Sequence, residues 1–199
     1  MNLEIRDAEI RDLPEIKRLM DEYLSLNYYS LEALEGMLCG DRHLLYVVTD
    51  ADRDHAVVSY FYAFLSSLDE ALQILHVAER PEPLLQYRGD DLVAVYKASS
   101  TEKGYRKLGI CSTFIRDLQP VVQQRGAKMI LATALHPVGQ RIPMKHIFVD
   151  NGFSAISDLY RPWSQINSYC PYCREDYCTC DAVFYMKKLD GTEGVNSNE

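Results

Sequence analysis

A short run of residues near the middle of the chain constrains its fold more than any other feature. Gly104–Cys111 reads GYRKLGIC and separates a strand-like stretch, residues 91–101, from residues 111–125, where apolar residues recur at helical spacing. The first turn of a helix has backbone N–H groups without a partner, and the peptide dipoles add partial positive charge there. Gly109 has no Cβ to keep an anion away from these groups, and the adjacent basic residues add charge. The run therefore predicts an anion-binding turn between a strand and a helix.

Patterns in the rest of the chain predict a mixed α/β or α+β fold. Short stretches rich in β-branched and aromatic residues, or alternating apolar with polar residues, predict further strands. These strands are expected around residues 3–5 and at His43–Thr49, Ala56–Leu65, Lys128–Ala134, Phe153–Ser157 and Ala182–Leu189. Helical spacing predicts helices near residues 13–23 and 30–40 and at Met144–Asp150, whereas residues 66–90 remain unassigned. The order of these elements favours one mixed sheet flanked by helices.

Length and composition favour one globular domain. A chain of 199 residues is long enough to bury a core without disulfides or a metal, and its 47% hydrophobic and 25% charged residues are ordinary for a globular protein. We expect a single domain over residues 1–189 and a polar, disordered tail over residues 190–199.

Charge and hydropathy patterns exclude several classes of partner. The net charge of −8 disfavours binding to the phosphate backbone of nucleic acids. No apolar run approaches the 18 to 20 residues of a membrane span, and the first residues, MNLEIRDAEIRD, carry charges where a secretory signal is apolar. The sequence therefore predicts a cytoplasmic protein that binds neither membranes nor nucleic acid.

A cysteine cluster lies in an expected insert before the last strand, residues 160–181, called the Cys-rich insert below. Cys170, Cys173, Cys178 and Cys180 fall within eleven residues as C-x-x-C followed by C-x-C. Four thiolates at this spacing can complete a tetrahedral zinc site that holds a loop, and we favour structural zinc. Free or redox-sensitive thiols remain an alternative, while a reducing compartment disfavours disulfides. The aromatic residues of the insert either pack it onto the sheet or line a pocket.

The run at 104–111 resembles motif A of the GNAT superfamily, the acyl-CoA-dependent N-acetyltransferases. The motif reads Gln/Arg-x-x-Gly-x-Gly/Ala after a strand, and Arg106, Gly109 and Cys111 stand at its fixed places. Cys111 replaces the usual small residue, and Lys107 replaces the glycine that usually follows the arginine. Phe148–Phe153 (FVDNGF) resembles the Tyr-x-x-x-Gly-Phe ending of the family's fourth helix. The resemblance implies a mixed, mostly antiparallel central sheet flanked by helices.

The resemblance also implies how acetyl-CoA binds. The fourth and fifth strands should separate, so that pantetheine pairs with the backbone of Ser99–Thr101 and the N–H groups of residues 107–112 hold the pyrophosphate. The residues expected to bind acetyl-CoA are Ser99, Thr101, Arg106, Lys107, Leu108, Gly109, Ile110, Cys111, Ser112 and Phe148. The implied reaction is direct attack of a neutral amine on the thioester, with a backbone N–H near Thr101 polarising its carbonyl.

The resemblance leaves the proton donor open. Many relatives protonate the departing thiolate with a tyrosine of the fourth helix, but its counterpart here is Phe148, which carries no proton. His136, at the end of a predicted strand, and Glu102, beside another, are the candidate catalytic residues, and His146 and Asp91 are alternatives.

Two functional hypotheses follow. The first is an N-acetyltransferase that uses acetyl-CoA and a primary amine of an unidentified small molecule or peptide. The second is a catalytically weak GNAT-fold module that binds acyl-CoA or a protein partner and carries a structural zinc loop. The sequence does not fix the oligomeric state, and a homodimer is one option.

Overall fold

The computed structural model describes residues 1–167 and 169–189, so the tail at 190–199 lies outside the described residues. Its strands are β1 Leu3–Asp7, β2 His43–Asp50, β3 Ala56–Ser67, β4 Leu92–Thr101, β5 Met129–His136, β6 Ser154–Leu159 and β7 Asp181–Lys188. Its α-helices are α1 Leu13–Tyr23, α2 Leu31–Cys39, α3 Leu68–Ile74, α4 Ile110–Gln124 and α5 Lys145–Asp150. Within these ranges, no helix has the length and apolarity needed to cross a membrane.

The described strands form one seven-stranded sheet in the order β1-β2-β3-β4-β5-β7-β6. Neighbouring strands are antiparallel except β4 and β5, which are parallel and are connected through α4. The sheet is therefore mixed and mostly antiparallel, as predicted.

The parallel pair β4 and β5 separates halfway along its length. The ladder between the two strands covers Ala94–Tyr96 opposite Ile130–Ala132 and ends there. Beyond that point β4 still pairs with β3 as far as Thr101, and β5 still pairs with β7 as far as His136. At the point of separation Lys97 is an extra residue in β4, since Ala63 of β3 opposes Tyr96 and Tyr62 opposes Ala98. Such a bulge bends a strand, so it explains why β4 turns away from β5.

Each face of the sheet supports its own apolar core. Alternate strand residues point to opposite faces, so Val93 and Val95 join the core with α1, α2 and α3, whereas Ala94 and Tyr96 join the core with α4 and α5. On the second face, α4 buries a stripe of residues at helical spacing. These are Ile110, Phe114, Ile115, Leu118 and Val122. The helix that follows the 104–111 run is thereby fixed firmly against the sheet.

The structure also resolves the region that the sequence leaves unassigned. Residues 66–90 form α3, with the Ser67 side chain accepting a hydrogen bond from Glu70 N at the helix start, and a 3₁₀ turn at Glu82–Leu84. Pro81 and Pro83 follow α3 and so do not interrupt it. This segment covers the face of the sheet opposite α4.

Candidate functional site

A cleft occupies the gap between β4 and β5 where the two strands separate. It encloses a cavity of about 220 Å³ that is mainly apolar. Strand residues at its walls are Tyr96, Lys97, Ala98, Ser99, Thr133, Ala134 and Leu135. Further walls come from the loop after α1, from α5 and the residues before it, and from the Cys-rich insert. The predicted separation of the two strands therefore creates an accessible site.

The edge of β4 that faces the cleft has free backbone groups. Glu102, just after β4, donates its backbone N–H to Val58 O of β3. Because N–H groups alternate along a strand, those of Ser99 and Thr101 face away from β3 and into the cleft. An extended ligand lying in the cleft can therefore pair with Ser99–Thr101 as an additional strand does.

The turn before α4, residues 104–109, is called the anion loop below. Residues 106–107 form a hydrogen-bonded turn, and after it the backbone N–H groups of residues 109–112 have no backbone acceptor within the part of the chain that the structure describes. Gly109 is the N-cap of α4, has φ +78°, and has no side chain to cap the helix. A Cβ built on Gly109 meets no atom within 4 Å, so space lies open beside these groups. The loop thus presents a row of free donors at a helix N-terminus, which is where anions bind.

Basic side chains surround this row of donors. Arg106 and Lys107 are both exposed, and Lys107 adopts a left-handed backbone conformation with φ +66°. Arg106 folds back toward the sheet, where its Nε donates to Thr101 O at 3.0 Å and its guanidinium lies 4.6 Å from the centre of the Tyr23 ring. Arg106 therefore connects the loop to the end of β4, and the loop carries two basic side chains beside the helix start.

A buried tyrosine fixes the anion loop to the rest of the sheet. Tyr105 is 6% exposed, and its hydroxyl donates to Asp50 Oδ2 at 2.7 Å. This hydrogen bond lowers the pKa of Asp50. Arg53 donates to the same hydroxyl at 3.2 Å. The side chain before Arg106 is thus held on both sides, and this holds the start of the loop in place.

The remaining residues predicted to bind acetyl-CoA lie around the loop and the cleft. Leu108 is exposed on the anion loop, and Ile110, the first residue of α4, is buried. The Ser112 hydroxyl accepts a hydrogen bond from Asn151 Nδ2 at 3.2 Å, which joins α4 to the end of α5. The Thr101 hydroxyl pairs with Ser59 Oγ at 2.9 Å, away from the loop.

The floor of the cleft is aromatic. Phe148 is fully buried, with ring centres at 5.4 Å from Tyr96, 5.0 Å from Phe153 and 5.0 Å from Tyr185. The Tyr96 hydroxyl lies 2.5 Å from Ser99 Oγ and 3.3 Å from Cys111 Sγ. Burial raises the pKa of Tyr96 well above its usual value, so this hydroxyl stays protonated.

We expect Phe148→Ala to destabilise the protein by about 3–5 kcal/mol, because it leaves a cavity among three other rings. Val149→Ala on the same helix is the matched control, since Val149 is 52% exposed and should cost less than about 0.5 kcal/mol. Urea unfolding monitored by circular dichroism measures both changes. Equal effects for the two variants would show that Phe148 does not hold the floor of the cleft together.

The structure places the two predicted catalytic residues outside the residues that line the cavity. His136 is the last residue of β5 and lies opposite Asp181 of β7. Glu102 follows β4 and accepts from Arg53 NH1 at 3.4 Å, with Arg18 NH2 at 4.0 Å. Glu102 is therefore held in ion pairs. The catalytic roles of both residues stay predictions.

Sequence reasoning missed Lys97, which lines the cleft at the bulge of β4. A lysine within an otherwise apolar strand was the available signal, but the bulge that exposes it depends on strand pairing. Tyr28, which the sequence leaves undecided between core and ligand, lines the same cleft, and burial raises its pKa to about 12. Trp163 and Tyr172 of the Cys-rich insert line it as well.

The cysteines of the insert come together in space. The sulfur atoms of Cys170, Cys173, Cys178 and Cys180 all lie within 4.8 Å of one another, and none forms a disulfide. Zinc–sulfur bonds of about 2.3 Å put the sulfurs of a tetrahedral site about 4 Å apart, so the cluster fits a zinc ion after a small contraction. Leu135 and Trp163 pack against the cluster and separate it from solvent.

Hydrogen bonds favour the thiolate form of one of these cysteines. The Cys178 thiol and the backbone N–H groups of Tyr172 and Cys173 lower the pKa of Cys170 to about 5. The pKa values of Cys178 and Cys180 are raised, the first mainly by its bond to Cys170 and the second mainly by burial. Four neighbouring thiols cannot all ionise without a bound cation to balance their charge.

The cluster also forms part of the cleft wall. Cys170 and Cys178 line the cavity together with Trp163, Ile166 and Tyr172. Folding of the insert therefore shapes one side of the cleft.

Comparison with known proteins adds structural relatives but no sequence relatives. A scan against protein-family models and a search of curated proteins find no match. In structure, the chain is similar to Arabidopsis thaliana NAA60 crystallised with acetyl-CoA, with a TM-score of 0.72 and 13% identity over 96% of this chain and 100% of that chain. It is also similar to the ribosomal-protein-S18-alanine N-acetyltransferase from Escherichia coli, with a TM-score of 0.63 and 13% identity over 99% of both chains. A third similar structure is Chaetomium thermophilum Naa20 with a bisubstrate analogue, with a TM-score of 0.66 and 12% identity over 94% of this chain and 86% of that chain.

These similarities extend over nearly the whole of the described sheet and agree with the motif read from the sequence. The parallel β4–β5 pair, its separation and the glycine-capped helix after it stand in the order that the resemblance implies. The chain therefore has the GNAT fold.

Proposed function

We propose that this protein is an N-acetyltransferase that transfers the acetyl group of acetyl-CoA to a primary amine. The observation that carries the proposal is the row of N–H groups without a backbone acceptor at residues 109–112, next to a cleft toward which the N–H groups of Ser99 and Thr101 on the β4 edge point. A pyrophosphate needs such a row of donors, and a pantetheine arm needs such an edge. The similar structures of Arabidopsis thaliana NAA60 were crystallised with acetyl-CoA and with a bisubstrate analogue, which supports the assignment.

The chain's own residues have distinct roles in this reaction. The amides of 107–112 and the basic side chains of the anion loop hold the diphosphate, while Phe148 and Tyr96 form an apolar floor for the pantetheine. A backbone N–H of β4 that faces the cleft polarises the thioester carbonyl as the amine attacks. Phe148 provides no proton, so the departing thiolate is protonated by another group or by water.

The cleft favours a transferase over a module that only binds acyl-CoA. A binding module needs a site for the thioester alone, whereas this cleft continues past β4 to the loop after α1 and to the Cys-rich insert. This extension of the cleft leaves space for an amine substrate beside the acetyl-CoA.

The direct test has two steps on the same purified protein. Calorimetry should show micromolar binding of acetyl-CoA. Mass spectrometry should then show an acetylated product, 42 mass units heavier, from at least one member of a panel of amino acids, polyamines and peptides. Binding without any product would favour the alternative module, and absence of binding would overturn both readings.

We also propose that the cysteine cluster binds structural zinc. Its support is the convergence of four sulfurs, three of them nearly or fully buried, in a loop without a disulfide. A bound zinc ion offsets two of the four thiolate charges and attracts all four thiolates, and it fixes the insert that forms one wall of the cleft.

A further inference from the structure

Among the described residues, one cationic side chain lines the cleft, on the side opposite α4. Of the described residues around the cavity, Lys97 alone is a lysine, arginine, aspartate or glutamate. Two other lining residues, Cys170 and Cys178, are ligands of the proposed zinc ion. An isolated ammonium in an apolar pocket of a protein with net charge −8 is unusual, because burying it costs free energy unless a partner compensates.

The protein compensates this charge only in part. Lys97 Nζ donates to Ile74 O, at the C-terminal end of α3, at 3.2 Å, and it lies 5.7 Å from the centre of the Tyr28 ring. An ammonium has three donors. Within residues 1–167 and 169–189, the contact with Ile74 O is the one hydrogen bond found for this nitrogen, and no carboxylate acts on its pKa. Burial lowers the pKa of Lys97, as expected for a cation without a counter-ion.

The side chain points away from the face that would hold the cofactor. Tyr96, the preceding residue, contacts Cys111 of α4, whereas Lys97 contacts the end of α3 on the opposite face. Ser99, with its free N–H, follows two positions later, or about 7 Å along the strand. A group bound to Lys97 is thus on the acceptor side and close to the thioester position.

The simplest role for Lys97 is to cap the C-terminal end of α3. That role uses only one of the three N–H donors of the ammonium group. Tyr28, Tyr29 and His76 are the titratable groups that face it, and none of them carries a negative charge near neutral pH, because burial raises the pKa of both tyrosines. A negatively charged group would complete the site with a charge-assisted hydrogen bond, which is among the strongest polar contacts in a protein.

We propose that Lys97 recognises a carboxylate on the amine acceptor, so that the preferred substrate carries a negative charge close to the nitrogen that is acetylated. This proposal rests on the proposed acetyltransferase function. A free amino acid and a peptide with an acidic residue near its N-terminus both supply such a group. Lys97 acts here in substrate binding and is not assigned a proton-transfer role.

Matched pairs of acceptors test the proposal. One arm compares alanine with alaninamide, and the other compares peptides that begin Met-Glu with peptides that begin Met-Gln, each with saturating acetyl-CoA and detection by mass spectrometry. We expect kcat/KM to be at least about tenfold higher for the acidic member of one arm, the usual effect of a buried charge-assisted hydrogen bond. A preference for alanine over alaninamide indicates a free amino acid as the substrate, and a preference for Met-Glu over Met-Gln peptides indicates a peptide with an acidic side chain.

Two variants connect that preference to Lys97. Lys97→Met keeps most of the side-chain length and should reduce the ratio between paired acceptors to about one, whereas Lys97→Arg should keep the ratio above about three. An acetyl-CoA Kd within about twofold of wild type shows that each variant keeps its cofactor cleft. A capping lysine would lower stability in both variants without changing the ratio.

Three results would overturn the proposal. They are equal kcat/KM for both members of both pairs, a preference for the uncharged members, and an acidic preference that survives in Lys97→Met. If no pair is acetylated, calorimetry of the same acceptors with CoA-saturated protein decides, since an acidic member must still bind more tightly to wild type than to Lys97→Met. Failure of the acetyltransferase function itself has a different signature, namely no binding of acetyl-CoA or no acetylated amine of any charge.

Discussion

Substitution of Gly109 by aspartate is expected to weaken acetyl-CoA binding by at least about a hundredfold. Gly109 has φ +78°, a conformation that costs a residue with a Cβ about 1 kcal/mol or more. The new carboxylate would also stand beside the free N–H groups, where repulsion from a diphosphate about 4 Å away is worth about 4 kcal/mol. Calorimetry with acetyl-CoA measures the loss, for which a hundredfold change requires about 2.7 kcal/mol.

Gly104→Asp is the matched control for this substitution. Gly104 lies in the same loop, is exposed, has no atom within 4 Å of an added Cβ, and does not have a positive φ. It adds the same charge without blocking the start of α4, so we expect less than about a fivefold change in Kd. Similar losses for both variants would show that general charge, and not the helix start, controls binding.

Loss of one cysteine from the cluster is expected to release the proposed zinc ion and to destabilise the protein. Cys180→Ser replaces a fully buried sulfur, so bound zinc should fall from about one ion per chain to nearly none. Zinc held at a thousandfold excess over its Kd stabilises the folded state by about 4 kcal/mol. For a chain of this size the melting temperature should then fall by roughly 8–16 °C. Metal analysis and calorimetric melting of the same samples measure the two changes.

Cys39→Ser provides the control, because Cys39 is exposed on α2 and lies outside the cluster. It should keep its zinc and its melting temperature. Wild-type protein purified without chelator that contains no zinc, and whose melting temperature does not respond to added zinc, would contradict the metal site.

The sequence predicts the strand, the glycine and the helix around residues 104–111 because their causes are local. The apolar stripe of α4, the glycine at its start and the strand before it depend on spacing within about 30 residues, and each takes the predicted place. Local sequence also predicts the cysteine cluster, because the C-x-x-C and C-x-C spacings place their sulfur atoms close together.

Other features depend on contacts between distant parts of the chain. The ion pair of Glu102 with Arg53 joins residues 49 positions apart, so no local pattern could show that this carboxylate is already partnered. The exposure of Lys97 to the cleft depends on the pairing of β4 with β3, where one extra residue changes the register. Within residues 66–90, Leu68–Ile74 form α3, which packs its buried residues Leu68, Ala71 and Leu72 against the sheet. Short-range helix propensity alone did not predict this helix.

Amide-resolved NMR tests the central claim most directly. On titration of ¹⁵N-labelled protein with acetyl-CoA, the N–H signals of residues 107–112 should show the largest shifts in the described chain and become protected from solvent exchange, because the diphosphate accepts their hydrogen bonds. Binding of acetyl-CoA that leaves these six amides unchanged would contradict the assignment of the anion loop.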